Sequence, residues 1–197
     1  MARPIDHVRR QELIDGAVDY AVAHGVADLS LRPLAAALGT QAPVLLHHFG
    51  SKEQLLAAML NGVRDRLRAL GRDAEETSPR TGLGAVWAWA SDPAHAPFLR
   101  LFFECYGLAL RHPDRYSQFL DAVVQDWLDQ PMAAIDDTSA TIAIAVTRGL
   151  LLDLLTTGDH DRVDAAMTRI TTLLRAHVDA PATSTHAADH PDARPSS

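Results

Sequence analysis

The chain has 197 residues, 47% of them hydrophobic and 22% charged, with a formal net charge of -7. These values exclude a disordered or fibrous chain and allow one ordinary domain, or one small and one medium domain. Net acidity speaks against a nucleic-acid partner, but the charge is unevenly placed. Residues 1–72 carry nine Lys/Arg against seven Asp/Glu, whereas the rest carry nine against eighteen. A mildly basic head on an acidic body suits a DNA reader whose body is kept off the phosphates.

The single cysteine, Cys105, allows no intrachain disulfide and fits a reducing cytosol. Met1 to Arg10 is polar, contains Asp6 and lacks the apolar run of a secretory signal. No stretch is expected to supply the roughly 18 apolar residues that cross a bilayer. The expectation is a cytoplasmic protein with no membrane partner.

Helical periodicity runs through the sequence and strand alternation is nearly absent, so the fold class is all-α. Val8, Ile14, Ala17, Val18 and Ala21 recur at three- and four-residue steps, predicting a first helix over 5–24 that Gly25 ends. Ser30 is positioned to cap a short second helix with Leu31, Leu34, Ala35 and Leu38 inward, and Pro33 is tolerated in its first turn. Gly39 stops it. After a three-residue turn, a third helix over 42–48 begins at Pro43. Ser51-Lys52-Glu53-Gln54 has the spacing of a capping box and opens a fourth helix, apolar along Leu55, Leu56, Met59, Leu60, Val63, Leu67 and Leu70 to about 71.

Gly71 to Gly84 is polar, contains Pro79 and reads as a loop. Further helices are predicted over 83–91, 94–111, 113–129, 136–157 and 160–177. From Asp179 onward no large apolar residue occurs, and 179–197 reads as a disordered tail. The domain organisation expected is therefore 1–50, a three-helix helix-turn-helix unit, and 51–178, a larger helical unit joined through a connecting helix at 51–71.

Two short helices crossing at a tight turn place the second one where it can enter a major groove about 12 Å wide. An ordinary helical hairpin has the same pattern, so the flanks decide. The run Leu29-Ser30-Leu31-Arg32-Pro33-Leu34-Ala35-Ala36-Ala37-Leu38-Gly39, then Leu45, His48-Phe49 and Ser51-Lys52-Glu53-Gln54-Leu55-Leu56, resembles the TetR family of transcription regulators. The resemblance covers about residues 8–60. It implies a DNA-binding unit ahead of a helical domain that binds a ligand and dimerises. Two positions depart from the family pattern: Pro43 stands where Gly is usual, and Leu46 replaces a tyrosine whose hydroxyl commonly reaches a phosphate.

By this resemblance Gln41, Ala42, Pro43, Leu46 and His47 face the groove. Gln41 is the candidate for pairing with a base edge, because an amide can bond adenine in a bidentate way, while Ala42, Pro43 and Leu46 offer only apolar contact. Arg32, Thr40, His48 and Lys52 are candidates for phosphates. Lys52, the only lysine, adds its charge to the N–H groups of a helix N-terminus; a solvated surface lysine is the plainer reading. His48 can equally pack within its own domain.

Nine of the eleven aromatic residues lie between 87 and 127. The 94–111 helix is apolar around most of its circumference and is expected at the centre of the second domain. Such an aromatic cluster is either a filled core or the lining of a pocket for a small, largely apolar ligand. The candidates for a pocket are Trp87, Phe98, Phe102, Tyr106 and Trp127. Arg148 can orient a ligand, bridge subunits or pair with an interior carboxylate.

The last two helices carry apolar faces suited to a four-helix interface with a second copy, which the resemblance also implies. The partners expected are a double-stranded, palindromic DNA operator, a small-molecule effector and a second copy of the chain. In that scheme the regulator is a repressor, and the effector displaces the 51–71 helix. The rival class is a helical adaptor or enzyme that binds small molecules without DNA. Against catalysis, the ten histidines are scattered, His47 and His48 point about 100° apart on a helix, and no phosphate loop or nucleophile elbow occurs. No metal site, catalytic residue or cofactor is expected.

Overall fold

The computed structural model describes residues 6–77, 83–128 and 136–179, with the side chains of 74–77, 127–128 and 177–179 outside the description. Among the described residues there are nine α-helices and no strand. They are α1 (His7–His24), α2 (Leu31–Ala37), α3 (Ala42–Phe49), α4 (Lys52–Thr77), α5 (Leu83–Ala90), α6 (Ala96–Arg111), α7 (Ser117–Leu128), α8 (Asp137–Thr157) and α9 (His160–Asp179).

Helix starts follow local chemistry more often than they follow the expected residues. Asp6 caps α1 by accepting the Arg9 N–H at 3.1 Å, and Asp136 caps α8 through the N–H groups of Thr138 and Ser139. The Ser139 hydroxyl also donates to Asp136 at 2.8 Å, and that bond first, then the backbone N–H of Ser139, holds the Asp136 carboxyl below its usual range. Ser51 accepts the Gln54 N–H at 3.1 Å and starts α4. Ser30 occupies the N-cap position of α2 but its side chain makes no capping bond, a correction to its expected role.

Three boundaries differ from the sequence reading. α4 runs six residues past the expected end at 71, because Gly71 alone costs a helix only about 1 kcal/mol and the residues after it are ordinary helix formers. The expected loop therefore narrows, and only 78–82 of it lies outside the described residues. The 94–111 segment divides into a 3-10 turn, Pro93–His95, and α6, each with a proline in its first turn. Asp179, placed in the tail by the sequence, closes α9; the rest of the expected tail, 180–197, lies outside the described residues.

Burial organises the helices around two apolar clusters. The first joins α1–α4 to α6 and α7 through Leu13, Leu34, Leu45, Met59, Phe102 and Phe119. The second joins α5, α8 and α9 to Leu99 of α6 through Trp87, Ala143, Leu151, Val163 and Met167. Each large side chain so buried stabilises the fold by roughly 1.5–3 kcal/mol. α6 belongs to both clusters, as its nearly all-round apolar surface requires.

α4 lies tight against α1. A Cβ added at Gly62 would stand 2.7 Å from Ile14 Cγ2, so the glycine sets the interhelical distance. By length and composition α8 is apolar enough to cross a membrane, contrary to the expectation that no stretch would be, yet a third of that window is buried inside the protein. Its inner face (Ala143, Ile144, Thr147, Leu151, Leu154) packs in the second cluster and against its neighbours.

Candidate nucleic-acid interface and ligand cavity

The α2–turn–α3 unit is built so that one face of α3 is anchored and the other is free. Leu45 and Phe49 are 1% and 5% exposed and fix α3 to the core, with the Arg10 guanidinium lying 4.9 Å over the Phe49 ring. On the opposite side Gln41, Pro43, Leu46 and His47 are exposed, and Val44 joins them. Leu46 is 39% exposed and Val44 37%. These two aliphatic groups leave apolar area on the open side of α3 that is free for contact with a partner.

The turn geometry fixes this presentation. Gly39 takes a φ of 61°, which a side chain would resist, and lets the Thr40 N–H reach back to the Ala35 carbonyl at 2.9 Å. Gln41 is the N-cap residue of α3, but its side chain makes no capping bond and stands free in solvent. At the far end Gly50 has a φ of 82°, and the Gln54 carboxamide fills the space a Cβ would need.

The remaining expected contacts sit around this face. Arg32 is exposed on α2, while Ala42, Thr40, His48 and Lys52 are half-buried. His48 Nδ1 is buried without a hydrogen-bond partner, and its ring meets that of His47 edge-on at 5.5 Å. Lys52 opens α4, with Glu53 beside it. The Glu53 carboxyl is held below its usual range by its own backbone N–H first and by Ser51 next. An anion at this helix end thus meets one positive and one negative side chain along with the N–H groups. Val44 was missed from the sequence because its periodicity alone does not separate a packed from a free valine.

The second candidate site is a small cavity among five helices. α4 supplies Arg64, Leu67, Arg68 and Gly71; α5 Val86, Trp89 and Ala90; α6 Leu99, Phe102 and Phe103; α7 Val123 and Asp126; α8 Arg148 and Leu151. Its volume is about 30 Å³, room for one or two waters. Any larger occupant has to push the helices apart.

Of the aromatic candidates, Phe102 and Arg148 line this cavity and Tyr106 lies against Arg148. Trp87 is buried elsewhere, its indole N–H donating to Asp164 Oδ1 of α9 at 2.6 Å. Phe98 packs in the first cluster rather than on the cavity wall. Trp127 is on α7, but its side chain lies outside the described residues. Sequence reasoning missed Trp89 and Phe103 on the wall, and also Arg64, Arg68 and Asp126, whose meeting depends on how α4 and α7 cross.

The charged groups at the cavity are unequally matched. Asp126 lies 2.5 Å from Arg64 Nε and 3.3 Å from Arg68. Arg148 donates to the Val123 carbonyl at 3.1 Å and to the Tyr106 hydroxyl at a long 3.5 Å, with its guanidinium 5.3 Å over the Tyr106 ring. Burial pulls the Arg148 guanidinium below its usual pKa, and the Tyr106 side chain only partly opposes this. A second cleft, of about 180 Å³, lies between the start of α6 and the α8–α9 junction, with His160 the one ring among its described lining residues. Among the described residues, no cluster of His, Cys, Asp or Glu could hold a metal.

Comparison with known proteins gives this geometry a context. Residues 13–59 match the family model described as bacterial regulatory proteins, tetR family. The chain is 34% identical over 87 residues to the HTH-type transcriptional regulator BetI of Agrobacterium fabrum, covering 42% of this chain and 41% of that one. It is 26% identical over 165 residues to the HTH-type transcriptional regulator SrpR of Pseudomonas putida, covering 76% and 74%. The match to BetI thus spans about two fifths of that relative's length. Among solved structures, the multidrug binding protein EbrR complexed with imidazole superposes with a TM-score of 0.68 at 24% identity, over 90% of this chain and 99% of that one. SCO7518 of Streptomyces coelicolor A3(2) gives 0.65 at 22%, over 83% and 98%. At those identities the structural likeness concerns the fold.

Proposed function

We propose, from the match of residues 13–59 to the tetR family of bacterial regulatory proteins, that the chain is a ligand-responsive transcription regulator of the cytoplasm. In this reading a homodimer binds a short palindromic operator, represses from it, and is released by a small-molecule effector in the α4–α8 cavity. The observation that carries it is the α3 surface, where Gln41, Pro43, Val44, Leu46 and His47 stand free on a helix anchored from behind by Leu45 and Phe49.

The division of labour follows from position. Gln41 reads a base edge, Pro43 and Leu46 touch thymine methyls, and Arg32, Thr40, His48 and Lys52 hold phosphates. Domain boundaries near 50 separate the DNA-binding unit from the body, although one apolar cluster runs through both. Dimerisation uses α8 and α9, whose outer faces leave Ile142, Leu152 and Leu173 between 43% and 51% exposed. Two-fold symmetry then sets the recognition helices about one turn of DNA apart.

α4 connects the two sites. Lys52 is at its DNA end, and Arg64 lies twelve residues on, about 18 Å along the axis. An effector that widens the cavity displaces α4 and alters the spacing of the two α3 helices; a coupling of about 1–3 kcal/mol changes operator affinity roughly 5–150-fold. EbrR, which shares the fold, has been crystallised with imidazole, proflavin and ethidium, which supports a small-molecule effector for this chain. Footprinting the purified protein on the DNA flanking its own gene tests the reading. A salt-dependent palindromic footprint is expected; an unprotected duplex with a correctly folded protein refutes it.

A further inference from the structure

The cavity contains a half-buried cation, Arg148, with no carboxylate paired to it among the described residues. Arg148 uses two of its five N–H donors, one on the Val123 carbonyl and one weakly on the Tyr106 hydroxyl. Its Nε is buried and without a hydrogen-bond partner. Among the described residues, the carboxylate that lines the cavity is Asp126, already engaged by Arg64 and Arg68. Three guanidinium groups therefore share a wall with one carboxylate. Leaving a guanidinium in apolar surroundings without a counter-charge is costly, and the cost falls when a carboxylate arrives in the planar, two-pronged geometry that the group favours.

Beyond these charges the wall is apolar and partly aromatic: Leu67, Trp89, Leu99, Phe102, Phe103 and Leu151. We propose that the effector of this cavity is an amphipathic organic carboxylate, with its acid group on Arg148 and its apolar body between α4, α5 and α6. The assignment deepens the regulator reading and rests on it for the cavity being an effector site. Because the unoccupied space is so small, the apolar body has to press on Leu67 and Gly71 of α4 while the acid end is held from α8.

The test compares three probes of equal chain length, octanoate, octanamide and octylammonium, titrated calorimetrically into the full chain at pH 7.5. Octanoate is expected to bind about tenfold or more tightly than octanamide, with octylammonium weakest. Arg148→Met is expected to erase the preference for octanoate while leaving octanamide binding in place. Equal affinities, a preference for the ammonium, retention of the octanoate preference in a folded Arg148→Met protein, or no saturable binding of any probe overturns the proposal. Should that variant fail to fold, the order of the three probes on the unaltered chain still decides. A footprint on DNA from the same preparation separates the two claims: protection without charge preference removes only the carboxylate effector, and charge preference without protection removes only the regulator.

Discussion

Glu104, on α6, accepts the backbone N–H groups of Val26 and of Ala27 through one carboxylate oxygen, each at 2.8 Å. The clamp joins the turn after α1 to the helix that also lines the cavity with Leu99, Phe102 and Phe103. Gly25 permits it. A Cβ there would stand 2.9 Å from Glu104 Oε2, at a φ of 74° that side chains rarely adopt. The α2–α3 unit is thus gripped from the body by α6 as well as carried by α4. Removing the acceptor in Glu104→Ala leaves two backbone donors unserved and should cost about 1–3 kcal/mol. For a chain of this size that lowers Tm by roughly 2–4 °C for each kcal/mol. Glu104→Gln, which keeps an acceptor oxygen, should lose less. Thermal melts of both variants check this, and an unchanged Tm for Glu104→Ala would mean the clamp is idle.

The residues proposed to face DNA should separate by the kind of binding they alter. Gln41→Ala should relax discrimination at one base per half-site by about 1–3 kcal/mol. Lys52→Ala should instead weaken binding to all sequences alike and flatten the slope of log affinity against log salt by about one for each phosphate no longer neutralised. Titrations between about 50 and 200 mM salt, on operator and scrambled duplexes, read both effects. If Lys52→Ala leaves the slope unchanged, Lys52 is a solvated side chain.

At Gly62 α4 packs tightly on α1, with Ile14 Cγ2 and Val18 Cγ2 at 2.7 and 3.3 Å from an added Cβ. Both neighbours are core side chains with little room to retreat. Gly62→Ala gains about 1 kcal/mol of helix propensity, but overpacking of this kind typically costs about 1–3 kcal/mol. We expect net destabilisation in denaturant titration, together with altered operator affinity, since the α1–α4 spacing sets the tilt of α3. A variant as stable as the parent would show that α4 slides freely.

Cys105 is fully buried in α6, and desolvation pushes its thiol up to about 12, with Glu104 adding a smaller push. The protonated thiol is the form the fold favours. Its contribution to stability is whole below the unfolded value near 9 and is lost as pH rises toward 12. At about pH 8 the native protein should resist iodoacetamide, whereas denatured protein should be alkylated readily. Rapid labelling of native protein, with no loss of fold, would place the thiol at the surface.

Gly149 lies exposed on α8, between Ala145 and Leu152, and an added Cβ meets nothing within 4 Å in one protomer. Gly149→Glu should therefore leave the protomer folded, since a helix interior favours glutamate over glycine. If α8 packs against its symmetry mate, the same change buries two carboxylates against each other and should give monomers in sedimentation. Operator affinity should fall with it. A dimer that persists would move the interface away from α8.

Much of this architecture was legible in the chain because helices are local objects. The three- and four-residue spacing of Val8, Ile14, Ala17, Val18 and Ala21, and the stops at Gly25, Gly39 and Gly158, place helix ends within a few residues of those observed. The run from Leu29 to Leu56 marked the helix-turn-helix, since its turn glycine, helix opening at Ser51 and inward leucines all act between near neighbours. What failed locally failed for local reasons too. Ser30 holds the capping position without using its hydroxyl, and Gly71 looked like an end where α4 continues.

The cavity belongs to the other kind of information. Arg64, Arg68, Asp126 and Arg148 are separated by up to 84 positions and meet only because α4, α7 and α8 converge. Periodicity shows that a helix has an apolar face, but says nothing about which face of another helix it meets. Trp87 and Trp89 illustrate this: two residues apart on one helix, one is tied to Asp164 of α9 and the other lines the cavity. Likewise no local rule joins Glu104 to Val26. Hydrogen-bonded turns and helical repeats are decided within a few residues of the chain, whereas the balance of charge in an interior is decided by packing between distant segments.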